Sequence, residues 1–337
     1  MSADGGADEA SAGLPCVVVV GPTATGKTRL AVALARRFRG EVISADSRQV
    51  YRGLDLGTGK DLEEYGAGAE RVPVHLVDIV DPAEPYHLFR FVADAQAALR
   101  DIAGRGCLPV IAGGTGLYIH ALIHGYALEG TAPSEALREG LEGLSDAELL
   151  ATLQREAPDL AARVDTHQRR RLVRAVEIAR SRAAAPDGAP AERLRLRPLL
   201  IGPYYPRGEV HARIAARLDA RLQAGLIDEV ARLHAAGLSW ERLAWFGLEY
   251  RHVSQYLQGE VDLSGMRETL LARIRRFGKA QDAWLRKIER EGTPIHWLPG
   301  GDLAQALELV ERFLAGAALP APTLRLSETL YGPRGRA

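Results

Sequence analysis

Four β-branched residues, Val17 to Val20, open the first strongly patterned stretch of the chain. An unbroken apolar run without polar alternation predicts a strand buried on both faces. It leads directly into Gly21-Pro22-Thr23-Ala24-Thr25-Gly26-Lys27-Thr28, after which apolar residues recur at helical spacing at Leu30, Leu34 and Phe38. The pattern predicts a strand, a tight loop and a helix. Further apolar runs at Glu41-Val42-Ile43, Val74–Val80, Leu108–Ala112 and Leu199–Ile201 predict strands, and Ala93–Ala103 predicts a helix between two of them. Strands alternating with helices predict an α/β fold, a parallel sheet with crossover helices on its faces.

From about Ala121 to Pro190 the strand pattern stops. Ser134–Leu144, Ser145–Glu156 and Asp165–Arg182 predict helices, and Ser181–Pro190 (SRAAAPDGAP) a loop. A helical block between strands of one sheet predicts an inserted all-helical domain. The expected organisation is a disordered tail at 1–13, a core built from 14–122 and 196–315, an insertion at 123–195, and a C-terminal tail at 316–337 whose end after Leu319 is expected to be disordered as well. Val210–Ala236 predicts an amphipathic helical stretch broken at Gly225. In Met266–Arg290, Leu270, Ile274, Phe277, Trp284 and Ile288 fall on one helical face. Arg275, Lys279, Arg286 and Arg290 fall on the opposite face, with Arg276 flanking. Gln281 lies among the apolar residues, so its amide is expected to hydrogen-bond a buried group.

Composition adds little to this picture. An apolar fraction of 47% in 337 residues is enough for a sizeable core, and the formal net charge is zero. Two cysteines, Cys16 and Cys107, have no zinc-finger or disulfide-framework spacing. The start, MSADGGADEASAG, lacks the basic residues and apolar run of a signal peptide. No apolar run approaches a membrane span. A cytoplasmic protein, monomeric and without a membrane partner, is expected.

Chemistry concentrates at the strand ends. Residues 21–28 fit G-x-x-x-x-G-K-[ST], a phosphate-binding P-loop whose backbone N–H groups and helix N-terminus cradle an anion. Lys27 adds a cation, and the Thr28 hydroxyl suits Mg²⁺. Asp46, two residues past the second strand, reads equally as a helix cap or as a general base beside the phosphate site. The fourth strand ends in Gly113-Gly114-Thr115-Gly116 where an ATPase would place a magnesium-binding aspartate; Asp78 or Asp81 could serve instead. Arg163–Arg182 holds seven arginines against two acids. This cluster and the stripe on Met266–Arg290 read either as solvated faces or as phosphate-binding surfaces. His120 and His124 stand four apart on a predicted helix without the glutamate of H-E-x-x-H, and read first as surface or packing histidines.

Taken together, GPTATGKT, ISADSRQVYRGLDLGTGK, HLVDIVDP, PVIAGGTGLYI, RRRLVRAVE, RIAARLDARLQAGLIDEV and RRFGKAQDAWLR resemble the tRNA dimethylallyltransferase (isopentenyltransferase) family, in its bacterial form without a zinc finger. The resemblance runs from about Pro15 to Arg290. It implies transfer of a dimethylallyl group from dimethylallyl diphosphate to the exocyclic amine of adenosine-37 in the tRNA anticodon stem-loop, with Mg²⁺ as cofactor. It implies that Gly21, Pro22, Thr23, Ala24, Thr25, Gly26, Lys27 and Thr28 hold the diphosphate, Thr28 its metal, and Arg217, rather than Arg213, a further share of its charge. Thr23, Lys27 and Asp46 would be catalytic, with Asp46 accepting the amine proton. Ser47, Arg48, Gln49, Thr115, Arg138, Arg170, Arg174 and Lys279, together with Asp46, would meet the tRNA. The chain departs from the family pattern at His167-Gln168, at Glu249-Tyr250-Arg251-His252, at Arg221, and after Lys60, where His75 alone remains of two common histidines. The alternatives are a P-loop nucleotide kinase or ATPase, and a non-catalytic RNA-binding protein.

Overall fold

The computed structural model describes residues 13–125, 135–184 and 193–328. The expected N-terminal tail before Gly13, and the Ser181–Pro190 loop beyond residue 184, lie outside the described residues. The described chain divides into two compact units. One contains Met1–Tyr86, Asp94–His124 and Leu194–Ala337; the other contains His87–Ala93 and Gly125–Arg193.

The first unit is built on six parallel strands: β1 Leu14–Val19, β2 Gly40–Ser44, β3 Val74–His75, β4 Leu108–Ala112, β5 Leu196–Tyr204 and β6 Ile295–Pro299. Their order is β3-β2-β4-β1-β5-β6. Val17 pairs in register with Val110 of β4 and with Leu199 of β5. Strands covered on both faces have no side to give to water, which is why Val17 to Val20 are all apolar and all buried. One face of the sheet packs through Val17, Val19, Val42, Val110 and Ile201 against Leu30, Leu34, Leu309 and Phe313.

The helices follow in chain order: α1 Lys27–Arg37, α2 Leu88–Gly104, α3 Gly116–Ile123, α4 Glu135–Glu142, α5 Asp146–Glu156, α6 Pro158–Ala161 and α7 Arg169–Ala184. After β5 come α8 Arg207–Gln223, α9 Leu226–Ala235, α10 Trp240–Trp245, α11 Leu248–Leu257, α12 Leu263–Arg290 and α13 Leu303–Leu314. Among the described residues no helix is long and apolar enough to cross a membrane. The second unit has its own core of Leu141, Leu149, Leu153, Leu172 and Val176. Its helix α5 starts on a capping box: the Ser145 hydroxyl accepts from the Glu148 N–H, and the Glu148 carboxylate accepts from the Ser145 N–H.

Three expectations need correction. The predicted strand Val74–Val80 is ordered as a strand only at Val74–His75. Leu76 and Asp78 take positive φ, and the Asp78 carboxylate turns to fully buried Lys60, which also donates to the Tyr51 carbonyl at 2.8 Å. Phe277, placed on the apolar face of α12 by periodicity, is 50% exposed. The segment from residue 316 to 328 is docked rather than loose. Leu326 is buried, and the Glu289 carboxylate accepts from the Leu326 and Ser327 N–H groups. The remainder of that expected tail lies outside the described residues.

The sheet order brings the loops after β1, β4 and β2 to one edge, and close approach completes the junction. A Cβ on Gly113 would overlap the Ala45 carbonyl oxygen, and one on Gly116 would overlap the Trp284 ring. Gly113→Ala is therefore expected to cost about 1–3 kcal/mol, the range for overpacking, and to displace Asp46. Thermal unfolding of the variant checks this; an unchanged melting temperature would contradict the close approach.

Candidate active site at the carboxyl edge of the sheet

The P-loop and Asp46 open into one cavity of roughly 320 Å³. The loop leaves β1, turns with Ala24 and Gly26 at positive φ, and enters α1 with Gly26 as its N-cap. That conformation aims the first N–H groups of α1 at the cavity, where the partial positive charge of the helix end favours an anion. Lys27 Nζ donates to the Pro22 carbonyl at 2.7 Å, as does the Thr25 hydroxyl at 2.9 Å. Arg213 Nε donates to the Ala24 carbonyl at 2.9 Å, and Arg217 donates to the Thr23 hydroxyl. The site thus assembles the cations that a phosphate chain requires, Lys27 and Arg217, from α1 and α8.

These cations carry an electrostatic cost. Burial, followed by the charge of Arg217, pushes Lys27 down to about 8, against the pull of Asp46 and Asp61. Burial, with Arg221 beside it, pushes Arg217 down to about 10. A buried cation near another cation gains most when an anion arrives between them.

Facing the P-loop, the Asp46 Oδ1 accepts from the Arg48 N–H at 2.9 Å. Asp46 therefore stabilises its own turn with one oxygen. Ser47 N–H donates to the Thr115 hydroxyl at 3.1 Å, tying the loop after β2 to the loop after β4. Gln49 accepts from Ser44 at 2.7 Å and donates to the Gly59 carbonyl at 2.8 Å, so its amide holds the site wall. Arg48 lies over the Trp245 ring at 4.1 Å. Gln281 joins the two sides: its Oε1 accepts from Thr23 N–H at 2.8 Å and its Nε2 donates to the Gly114 carbonyl at 2.9 Å. This is the buried partner that its position on α12 predicts.

Of the residues named from sequence, Thr23, Ala24, Gly26, Lys27, Thr28, Asp46, Ser47, Arg48, Gln49, Thr115 and Arg217 line this cavity. Gly21, Pro22 and Thr25 shape the loop behind it. Lys279 is exposed and lines a separate small cavity with Arg275. Within the second unit Arg170 is exposed, whereas Arg138 and Arg174 both pair with buried Glu177, at 3.0 and 3.3 Å. On α12, Arg286 donates to the Leu326 carbonyl and Arg290 to the Arg286 carbonyl, so the basic stripe is partly committed to backbone. Neither Asp78 nor Asp81 lines the cavity; Asp78 is held by Lys60 and Asp81 accepts from the Ala83 N–H.

Sequence reasoning missed four charged lining residues. Asp61 and Glu64 follow Lys60, and Arg221 pairs with Asp61 at 3.4 Å. Burial, then Asp61, raises Glu64, and its Oε2 is buried without a partner. Glu249 enters the cavity from the start of α11, raised by burial. Arg221 and Glu249 are two of the positions that depart from the family pattern, a signal that marked them without giving a role. His252, a third, bonds Gln255 at 2.9 Å on its own helix.

Fold and site together define a parallel α/β protein in which the glycine-rich loop after β1 faces a carboxylate across a ring of backbone and amide contacts. Two family models match the chain: IPP transferase over residues 49–288 and isopentenyl transferase over residues 15–81. The tRNA dimethylallyltransferase 2 of Citrifermentans bemidjiense is 45% identical over 298 residues, covering 88% of this chain and 95% of that protein. The tRNA dimethylallyltransferase 1 of Hahella chejuensis is 46% identical over 298 residues, covering 88% and 96%. The crystal structure of the full-length tRNA isopentenylpyrophosphate transferase of Bacillus halodurans matches with a TM-score of 0.63 at 33% identity, covering 90% of this chain and 96% of that one. The chain belongs to the IPP transferase family.

The lowered Lys27 predicts a pH dependence. Its charged form is the protonated one, and a bound diphosphate favours that form. Affinity for a diphosphate ester should therefore fall as pH rises through about 8, with proton uptake on binding above it. Calorimetry in buffers of different ionisation enthalpy checks this. Lys27→Met should bind weakly with a flat profile across that range; a parental profile in the variant would remove Lys27 from the anion site.

Proposed function

We propose that the protein transfers a dimethylallyl group from dimethylallyl diphosphate to the exocyclic amine of adenosine-37 in tRNA. The products are N6-dimethylallyladenosine and diphosphate. The observation that carries this reading is the single cavity shared by the P-loop and Asp46. One wall suits a diphosphate, and the other presents a base to whatever enters opposite.

The donor's diphosphate takes the N–H groups of residues 21–28, with Lys27 and Arg217 offsetting its charge. The new C–N bond forms at the allylic carbon as its C–O bond breaks, and the electron pair leaves on the diphosphate. Charge grows on that leaving group in the transition state, so prearranged N–H groups and cations lower the barrier rather than merely bind. The adenine amine is a weak nucleophile because its lone pair is delocalised into the ring. Asp46 accepts its proton as the bond forms, a contribution of about 10²–10⁴-fold for a well-placed base. One Asp46 oxygen already accepts from the Arg48 N–H at 2.9 Å, which fixes the carboxylate and leaves the other oxygen for the amine. To reach this cavity the base must leave the anticodon-loop stack. Ser47, Arg48 and Thr115 line its path, and Arg48 on Trp245 offers a flat cationic surface.

The donor set fits magnesium. Thr28 lines the cavity with Asp61 and Glu64, and the unpartnered buried Glu64 Oε2 is an oxygen that a hard cation would satisfy. Thr28 and these carboxylates would hold the ion, which supplies charge neutralisation to the diphosphate when bound. The protein is proposed to act as a cytoplasmic monomer on the anticodon stem-loop.

Two experiments test the reading. In Asp46→Asn the side-chain shape and the turn are kept, since Asn accepts the Arg48 N–H as Asp does. Donor and tRNA should bind within a few-fold, while the single-turnover rate falls by about 10² or more. A near-parental rate would leave Asp46 with its turn alone. For tRNA affinity, removing charge at exposed Arg170 or Lys279 should reduce the salt slope by roughly one per lost phosphate contact. Arg290→Gln, whose parent side chain is engaged with a backbone carbonyl, should leave the slope unchanged. Equal slopes for all three variants and the parent would return Arg170 and Lys279 to the solvated surface.

A further inference from the structure

Outside the cavity, the turn of α3 brings His120 and His124 onto one face, with ring centroids 4.7 Å apart. Glu291, the residue that ends α12, reaches across to both. Its Oε2 lies 2.6 Å from His120 Nε2 and 3.8 Å from His124 Nε2. One donor atom from each of the three residues lies within 4.8 Å of the others. The proposed reaction uses none of these side chains. A histidine pair kept only for packing would need no carboxylate, and a single ion pair would need only one histidine.

We propose that His120, His124 and Glu291 form a binding site for a divalent transition-metal ion of the zinc class, which clamps α3 to α12. Two imidazole nitrogens and one carboxylate oxygen are a donor set that zinc accepts, with water in the fourth position. Around a tetrahedral ion with bonds of about 2.0–2.2 Å, ligand atoms stand roughly 3.3–3.5 Å apart. The His124–Glu291 separation is already close to that spacing. The shorter His120–Glu291 contact must open by less than an ångström, as a metal replaces the proton between them.

Lys287 opposes the ion. Its Nζ lies 3.7 Å from the other Glu291 oxygen and 5.1 Å from the Trp284 ring centroid, and its charge repels a cation. The linkage has a structural consequence. Helix α3 starts directly after Thr115, which accepts from Ser47 N–H, and α12 carries Gln281, which spans Thr23 and Gly114. A metal at the far end of α3 would fix the two helices whose other contacts shape the active site.

The test uses the full-length protein without a histidine tag. Co²⁺ titration should give one equivalent with the intense visible bands of four-coordinate nitrogen–oxygen ligation, displaced by Zn²⁺. Cobalt held only by oxygens at the magnesium site would give weak six-coordinate bands instead, and that spectrum alone would overturn the proposal. His124→Ala and Glu291→Gln should weaken Co²⁺ binding by about tenfold or more, while Lys287→Met should tighten it. Zn²⁺ should raise the melting temperature of the parent and not of His124→Ala. Unaltered cobalt bands in His124→Ala, with circular dichroism showing it folded, would also overturn the site.

Discussion

The candidate site depends on one topological constraint: β2, β4 and β1 lie side by side and parallel. Three loops from distant parts of the chain must then emerge at the same sheet edge. One supplies the proposed anion cradle, one the carboxylate, and one the glycine-rich turn between them. Gly113 lets the turn press against Ala45, and Thr115 receives the Ser47 N–H, so Asp46 is held from two sides. Gln281 then closes the ring from α12 by bonding the P-loop and the glycine turn with a single amide. Each such bond contributes only about 1 kcal/mol net. Its larger effect is geometric, since a base and a leaving group must be held at a fixed separation to act in one step.

A second constraint fixes the wall opposite. Buried Glu229 accepts from the Asp55, Leu56 and Gly57 N–H groups and from the Tyr250 hydroxyl. Buried Lys60 is balanced by Asp55 and Asp78. Removing one partner from either cluster would strand a buried charge, which is costly. The loop that delivers Asp61 and Glu64 to the cavity is therefore held by satisfied charges as well as by Leu62 and Tyr65 packed on the apolar core. The cavity itself is the reverse case. Lys27 is pushed down by burial and then by Arg217, and Arg217 by burial and then by Arg221. The protein is less at ease there without an anion than with one, which is the physical form of a binding site.

Much of this was legible in the residues. The P-loop declares itself because strand, glycines and helix are contiguous. Gln281 could be read as a buried hydrogen-bonder because it interrupts an apolar helical face. Gly225 could be read as a break, and it separates α8 from α9 at φ 98°. What failed did so for identifiable reasons. Periodicity gives the face of a helix but not what covers it, so Phe277 was placed in the core when it borders an open cavity. The short apolar run Ile295–Leu298 carries no pattern that separates a sheet strand from a loop, and β6 went unread. Asp61 and Glu64 lie in a segment without periodicity and Glu249 at the start of α11, where only folding reveals which way a carboxylate turns. Arg138 and Arg174 look free in sequence because Glu177, their partner, is one acid in a basic run.

The central claim is that a P-loop, elsewhere a grip for nucleotides, here holds a prenyl diphosphate opposite a base. The most direct measurement is incubation of the protein with dimethylallyl diphosphate, Mg²⁺ and an unmodified anticodon stem-loop bearing adenosine-37, followed by nucleoside mass analysis. The account predicts one adenosine per RNA heavier by a dimethylallyl group, diphosphate released in equal amount, and no product from an RNA with another base at that position. Hydrolysis or transfer of the γ-phosphate of ATP, with the adenosine unchanged, would contradict it.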